Sequence, residues 1–201
     1  MSDLARLLID QKDYQIIEDS RYFVIDLKYA TKDNFTGSLV YENFNTAILH
    51  RVAYEKLFKA VTYLQRYQPA FRLKIFDALR PNSAQVKLWN FLAGKPEQMY
   101  VANPEPGSLH SFGFAIDLSI VDAANQELDM GTEFDDFSIL AQPRYQIQHL
   151  SEGLLSTQHI ENRELLRECM EASGFKQLPY EWWHFDALDK ASVIKNYKKI
   201  N

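Results

Sequence analysis

Two short stretches of the chain hold residue types that bind metal ions and move protons. The first is Ser108-Leu109-His110-Ser111-Phe112-Gly113-Phe114-Ala115-Ile116-Asp117, where a loop histidine precedes a glycine that lets the backbone turn and an aspartate that follows on a strand. The second is Glu181-Trp182-Trp183-His184. Imidazole nitrogen and carboxylate oxygen are both zinc ligands, with bonds of about 2 Å. Singly, each stretch also fits something plainer. His110 and Asp117 could be a surface histidine and a strand aspartate in ordinary hydrogen bonds. Glu181 to His184 could be an aromatic core strand with a satisfied histidine. Together they say more, because two histidines and one aspartate leave the fourth tetrahedral position open, as catalytic zinc sites do. Zinc lowers the pKa of bound water to about 7, and a nearby carboxylate such as Glu181 can take the proton. One geometric condition applies. Residues three apart on a regular strand face opposite sides. Glu181 and His184 therefore share a site only if Glu181 lies in the entry turn or the strand bulges, and Pro179 favours an irregular entry.

A third stretch, Asp77-Ala78-Leu79-Arg80-Pro81, stands where a strand runs into a loop. Arg80 there could stabilise an oxyanion or could be half of a surface ion pair. The other histidines, His50, His149 and His159, lie in no comparable setting and read as surface or structural. Cys169 falls on the apolar stripe of a helix, which points to core packing rather than nucleophilic chemistry. No Ser-His-Asp arrangement or phosphate-cradling glycine loop is evident.

The elements that must position these residues follow from periodicity. Tyr22 to Leu27 alternates as a strand. Ala53, Leu57, Val61 and Leu64 set an amphipathic helix over His50 to Arg66. Phe71, Leu73 and Ile75 mark a half-buried strand ending near Asp77, and Ser83 is the expected N-cap of a helix through Leu92. Phe114, Ile116, Leu118 and Ile120 give a strand one apolar face, from which Asp117 points away. Leu165, Leu166, Cys169 and Met170 form a helical stripe, with Gly174 as its C-terminal cap. Tyr180 to Phe185 reads as a final strand. Asn103 to Gly107 is the clearest loop. Strands and helices alternate without a βαβ rhythm, so the expected fold is α+β, with helices packed on a largely antiparallel sheet.

Composition sets the outer limits. The 201 residues suit a single domain spanning 1–201, and 13 Phe with 11 Tyr make its core aromatic-rich. A net charge of -5 argues against a nucleic-acid partner. One cysteine excludes an internal disulfide. The first residues lack a signal-peptide pattern, and no apolar run reaches the roughly 18 residues of a membrane span. The expectation is a cytoplasmic enzyme with no membrane partner.

These residues resemble the VanX-type D-alanyl-D-alanine dipeptidases, within the zinc D,D-peptidase group that also contains the hedgehog fold. The resemblance runs from about residue 26 to 186, in the family's order. It takes in Asp26 to Thr31, Asp33 to Gly37, Asp77 to Pro81, Ser108 to Leu118, Met130 to Thr132 with Phe134-Asp135, Ser173 to Phe175, and Glu181 to His184. It implies an α+β fold with one zinc per subunit, held by His110, Asp117 and His184. It further implies Glu181 as general base, Arg80 as transition-state stabiliser, Asp135 as receiver of the substrate ammonium, and Tyr29 and Ser108 as pocket walls around a small D,D-dipeptide. A longer substrate without that ammonium would leave a buried charge unpaired. The chain departs from the family at Ala78-Leu79, where Gly-Tyr is usual, and at Phe112 and Phe114, where smaller or more polar residues are common. Those departures bear on pocket size. Two other readings remain beside this one: a D,D- or L,D-carboxypeptidase acting on peptidoglycan stems, and a zinc-containing binding module without catalysis.

Overall fold

A computed structural model describes residues 2–201. In chain order the elements are α1 (Asp3–Asp10), β1 (Tyr14–Ile16), β2 (Phe23–Ile25), β3 (Ile48–His50), α2 (Arg51–Tyr67), β4 (Arg72–Asp77) and α3 (Asn82–Phe91). There follow β5 (Ala115–Val121), α4 (Gln146–Ser151), α5 (Thr157–Ala172), β6 (Lys176–Gln177), β7 (His184–Asp186) and α6 (Lys190–Asn196). Five strands form one sheet in the order β2-β4-β5-β7-β6, and β1 pairs with β3 in a separate antiparallel ribbon. Within the sheet all pairs are antiparallel except β2 with β4, which are parallel. The expected mixture of helices on a largely antiparallel sheet is therefore found, with that one parallel edge.

β5 is the central strand, and every one of its residues is buried. Ile116, Leu118 and Ile120 join Leu73 and Ile75 of β4 in a core that also takes Leu57, Val61 and Leu64 of α2 and Leu166, Cys169 and Met170 of α5. The alternation in β5 separates apolar side chains from Ala115, Asp117 and Ser119, but both faces are covered. A second apolar cluster gathers Ala5, Leu8, Tyr29, Tyr41, Leu79 and Leu88, and Phe134 packs against both clusters.

Several boundaries move from those read in the sequence. β2 is shorter than Tyr22 to Leu27, although the ladder continues through Leu73 N–H to the Tyr22 carbonyl and Asp26 N–H to the Ile75 carbonyl. α3 opens before Ser83, because the Pro81 carbonyl already accepts from Ala84 and Gln85 N–H, and Pro81 is the cap. α2 begins just after His50, whose Nδ1 accepts from Val52 N–H. α5 reaches well ahead of its apolar stripe because Ser156 and His159 form a reciprocal cap. The final strand starts only at His184, which leaves Glu181 outside it.

Gly113 is the hinge between the first histidine and β5. It has φ +75°, and its carbonyl accepts from His50 N–H. A Cβ there would lie 2.8 Å from the His50 backbone nitrogen. Gly113→Ala should cost roughly 1–3 kcal/mol from left-handed strain and backbone crowding. The expected result is a lower denaturation midpoint in urea with an unchanged m-value, measured on the purified variant.

Candidate metal centre and active site

Residues 108–112 leave the loop as a 3-10 turn, Leu109–Phe112, capped by the Ser108 hydroxyl accepting from His110 N–H at 3.3 Å. The turn aims the His110 ring at β5. His110 Nδ1 lies 2.7 Å from the Ala78 carbonyl, a contact only an N–H can make favourably, so Nε2 is left as the free donor atom. Asp117 and His184 are register partners on β5 and β7 and therefore share one face of the sheet. His184 Nε2 is 2.9 Å from Asp186 Oδ1, which fixes that proton and leaves Nδ1 free. The two rings thus offer opposite nitrogens.

The three free atoms converge. His110 Nε2 is 3.2 Å from His184 Nδ1 and 3.3 Å from Asp117 Oδ2, and His184 Nδ1 is 2.9 Å from Asp117 Oδ1. Ligands of a tetrahedral zinc with bonds near 2.1 Å stand about 3.4 Å apart, so the trio fits such an ion in both chemistry and spacing. His110 and Asp117 are almost fully buried, and the His184 side chain is 11% exposed.

Glu181 is part of the irregular entry to β7, not of the strand. Its Oε2 lies 3.8 Å from His184 Nδ1, which places the carboxylate beside the ligand trio. Of the two ways in which Glu181 and His184 could share a site, the chain uses the entry turn. Trp182 and Trp183 are buried and anchor that turn. Trp182 Nε1–H donates to Thr132 Oγ1 at 2.9 Å, and Trp183 packs edge-on against Phe134.

Arg80 is buried, and its partners are internal rather than at the surface. Nε–H donates to Asp77 Oδ2 at 2.8 Å, Nη1–H to Gln85 Oε1 at 2.9 Å, and Nη2 sits 2.7 Å from Asp77 and 3.4 Å from Asp117. Asp135 is half-buried and adopts φ +61°. It sits in the segment between β5 and α4, whose ends α5 clamps. Arg163 donates to the Met130 and Leu140 carbonyls at 2.7 and 3.1 Å, and Asn162 donates to the Asp129 carbonyl at 2.7 Å. The Tyr29 hydroxyl is shared between both Asp135 oxygens at 3.1 and 3.0 Å.

All eight residues singled out in the sequence line one cleft of about 300 Å³: His110, Asp117, His184, Glu181, Arg80, Asp135, Tyr29 and Ser108. A more open hollow of about 980 Å³ shares Phe35 and Asp135 with it but contains none of the ligand trio. The four departures from the family pattern are not in the cleft wall. Ala78, Leu79, Phe112 and Phe114 are buried in the two apolar clusters. The wall is instead made by Phe35, Tyr100, Phe137 and Tyr180 with the polar groups.

Electrostatics separate the carboxylates. Burial works against charge on Asp117, but His110 and His184 hold it well below the usual carboxylate range. Burial likewise opposes charge on His184, and Asp186 and Asp117 outweigh it, holding the ring well above the usual histidine range. Glu181 goes the other way: burial, then Asp117, pushes it up to about 7, with His184 and Arg80 opposing. Asp135 is also raised, by burial first and Asp117 next.

The sequence reading missed Asp186 altogether and named Asp77 without giving it a role. Asp186 follows His184 by two positions on the same strand, and period-two geometry would have put it on the same face. Asp77, three residues before Arg80, is fully buried and holds the guanidinium.

A buried trio of two imidazoles and a carboxylate, with a second carboxylate of raised proton affinity alongside, is the donor set of a mononuclear metallohydrolase. Residues 13–200 match the model of the peptidase M15 family, described as D-ala-D-ala dipeptidase. The chain is 36% identical over 168 residues to the D-alanyl-D-alanine dipeptidase of Escherichia coli K12, covering 84% of this chain and 80% of that protein. It is 33% identical over 184 residues to the Enterococcus faecium D-alanyl-D-alanine dipeptidase and 31% over 186 to the Enterococcus faecalis one, each match covering 82% of this chain and 86% of the relative. The chain belongs to the peptidase M15 family and is a metallopeptidase. Among the described residues no helix is long and apolar enough to cross a membrane.

Two outcomes are expected. Asp186→Asn should weaken metal affinity roughly 10- to 100-fold by loosening the His184 tautomer, as measured by chelator competition. The second concerns stability of the metal-free protein. The folded pKa of Glu181 is raised from 4.5 to about 7, so the native state binds more protons than the unfolded one between those values. Stability then falls as pH rises through that window, by about 3 kcal/mol. Glu181→Gln should therefore melt higher than the wild type at pH 8 and gain little at pH 4, by calorimetry.

Proposed function

We propose that this chain is a zinc D-Ala-D-Ala dipeptidase, folded as one domain of the zinc D,D-peptidase type and acting on free dipeptide in the cytoplasm. The observation that carries the reading is the convergence of three things in one cleft: the His110–Asp117–His184 trio, the Glu181 carboxylate beside it, and the Asp135–Tyr29 pair. His110, Asp117 and His184 would hold one zinc ion. When bound, zinc supplies a Lewis acid that acidifies water and polarises the peptide carbonyl.

The rest of the chemistry falls to the chain's own side chains. Asp135 receives the substrate ammonium. The Tyr29 hydroxyl spends its one hydrogen on both Asp135 oxygens and so orients the carboxylate. Burial and Asp117 raise Asp135, and an ammonium brought against it favours the charged form again. A peptide whose amine is acylated or extended brings no such charge and leaves Asp135 without its partner, which selects for short substrates. Arg80 has five N–H donors, and its recorded partners leave one Nη1 hydrogen uncommitted for the carbonyl oxygen as negative charge develops there. Glu181, with proton affinity near neutrality, takes a proton from the attacking water and delivers it to the leaving amine. Ser108 lines the cleft and caps the turn that carries His110.

Release of D-alanine from D-Ala-D-Ala by the zinc-loaded protein, abolished by a chelator and absent with L-Ala-L-Ala, is the expected result. Release from a stem pentapeptide ending in D-Ala-D-Ala would favour a carboxypeptidase instead. No release from any of the three with zinc bound would favour a binding module. Glu181→Ala should keep about one zinc per chain by metal analysis while kcat falls roughly 10²- to 10⁴-fold. A variant that keeps most of its turnover would remove Glu181 from the mechanism.

A further inference from the structure

The charges in the cleft are unequally matched to a zwitterionic dipeptide. Four carboxylates line it, Asp117, Asp135, Glu181 and Asp186, against two cationic side chains of lysine or arginine type, Arg80 and Lys190. The ammonium end of the substrate has an evident receiver in Asp135. Away from the metal trio, whose ion would offset Asp117, the carboxylate end must still pass Asp135, Glu181 and Asp186, and like charges brought together in a partly desolvated site are costly. Arg80 offers little to that end. Its guanidinium is bound to Asp77, Gln85 and Asp117, and its charge is matched by two buried carboxylates.

Lys190 is the exception. It is the first residue of α6, four residues after Asp186, and β7 leads directly into it through the short 187–189 connection, so it belongs to the wall on the His184 side. Asp135 comes in on a different segment, between β5 and α4. Lys190 is exposed, and among the described residues no carboxylate lies within ion-pair distance of its ammonium, whereas Lys28, Lys74 and Lys87 are all paired. An uncompensated, mobile point charge at the mouth of an acidic cleft attracts an anion without the cost of breaking an existing pair.

We propose that Lys190 receives the C-terminal carboxylate of the substrate and sets the preference for a peptide with a free C-terminus. The proposal rests on the dipeptidase reading and deepens it. Asp135 and Lys190 then read the two ends of the same molecule. Asp135 measures whether the amine is free, and Lys190 measures whether the acid is free. A stem peptide satisfies the second condition but not the first.

The test compares wild type, Lys190→Met and Lys190→Arg, all zinc-loaded, on D-Ala-D-Ala. The C-terminal amide of that dipeptide serves as the competing ligand. Loss of one partly exposed ion pair should raise the KM of Lys190→Met for the free acid roughly three- to tenfold, with kcat held within about twofold. Lys190→Arg keeps the charge and should recover most of the lost affinity. The inhibition constant of the amide, which has no carboxylate, should move less than about twofold in either variant. A general disturbance of the cleft would move the acid and the amide together, and that result would overturn the proposal. So would a Lys190→Met enzyme whose KM for the acid is unchanged. A wild type that turns over no dipeptide at all would refute the dipeptidase reading and this inference with it, and that outcome is visible before any variant is made.

Discussion

A negative charge stands in the middle of the sheet, and the site is organised around keeping it there. Asp117 is the third residue of β5, the middle strand of the five, every residue of which is buried. A lone carboxylate in such a place would be prohibitively costly, and three side chains around it supply positive charge or N–H. His110 arrives from a 3-10 turn, His184 from the neighbouring strand and Arg80 from the end of β4. Arg80 brings its own debt of burial, met by Asp77, which in turn accepts from Tyr41 and from Ala78 N–H. The compensation spreads until it includes the second apolar cluster, where Tyr41 resides. Fold and site are therefore one electrostatic unit, and no member of it can be changed in isolation.

That arrangement also separates the tasks of chemically similar groups. Asp117 is held as an anion by its cationic neighbours, while Glu181, beside the same His184, retains its proton into the neutral range because of its burial and the charge of Asp117. Carboxylates driven apart in this way take ligand and base roles without interchange. The aromatic anchors make the difference durable. Trp182 and Trp183 hold the Glu181 turn, and Trp183 with Phe134 couples it to the segment that carries Asp135.

Residue type and spacing made the chemical centre legible in the sequence. His110, Asp117, Glu181 and His184 each had a plainer reading alone, but the two stretches together supplied a complete ligand set with a base, and the structure brings all four together. The long helices and β4 were legible for the same reason, since their apolar periods are strong. What escaped was information that only packing supplies. The β1–β3 ribbon is too short to show a period. The parallel pairing of β2 with β4 depends on the crossover through α2, which no local pattern encodes. Ala78, Leu79, Phe112 and Phe114 occupy motif-adjacent positions, and adjacency suggested cleft walls. Their side chains turn into the core instead. Asp186 and Asp77 act through His184 and Arg80, and partners of partners leave no spacing rule in a single sequence.

The register of β5 and β7 has a mechanical side as well. Asp117 and His184 face each other across the sheet, yet they are 67 positions apart in the chain. Between them run the segment bearing Asp135, α4, α5 and the hairpin into β6 and β7. A metal ion grasped by both side chains is a cross-link that closes this entire excursion, in a chain whose single cysteine allows no internal disulfide. Its grip exists only when the strands are in register, so binding free energy is transferred to the native arrangement. The ion that equips the protein for hydrolysis would also serve as its staple, and stripping it would loosen the last third of the chain before the first.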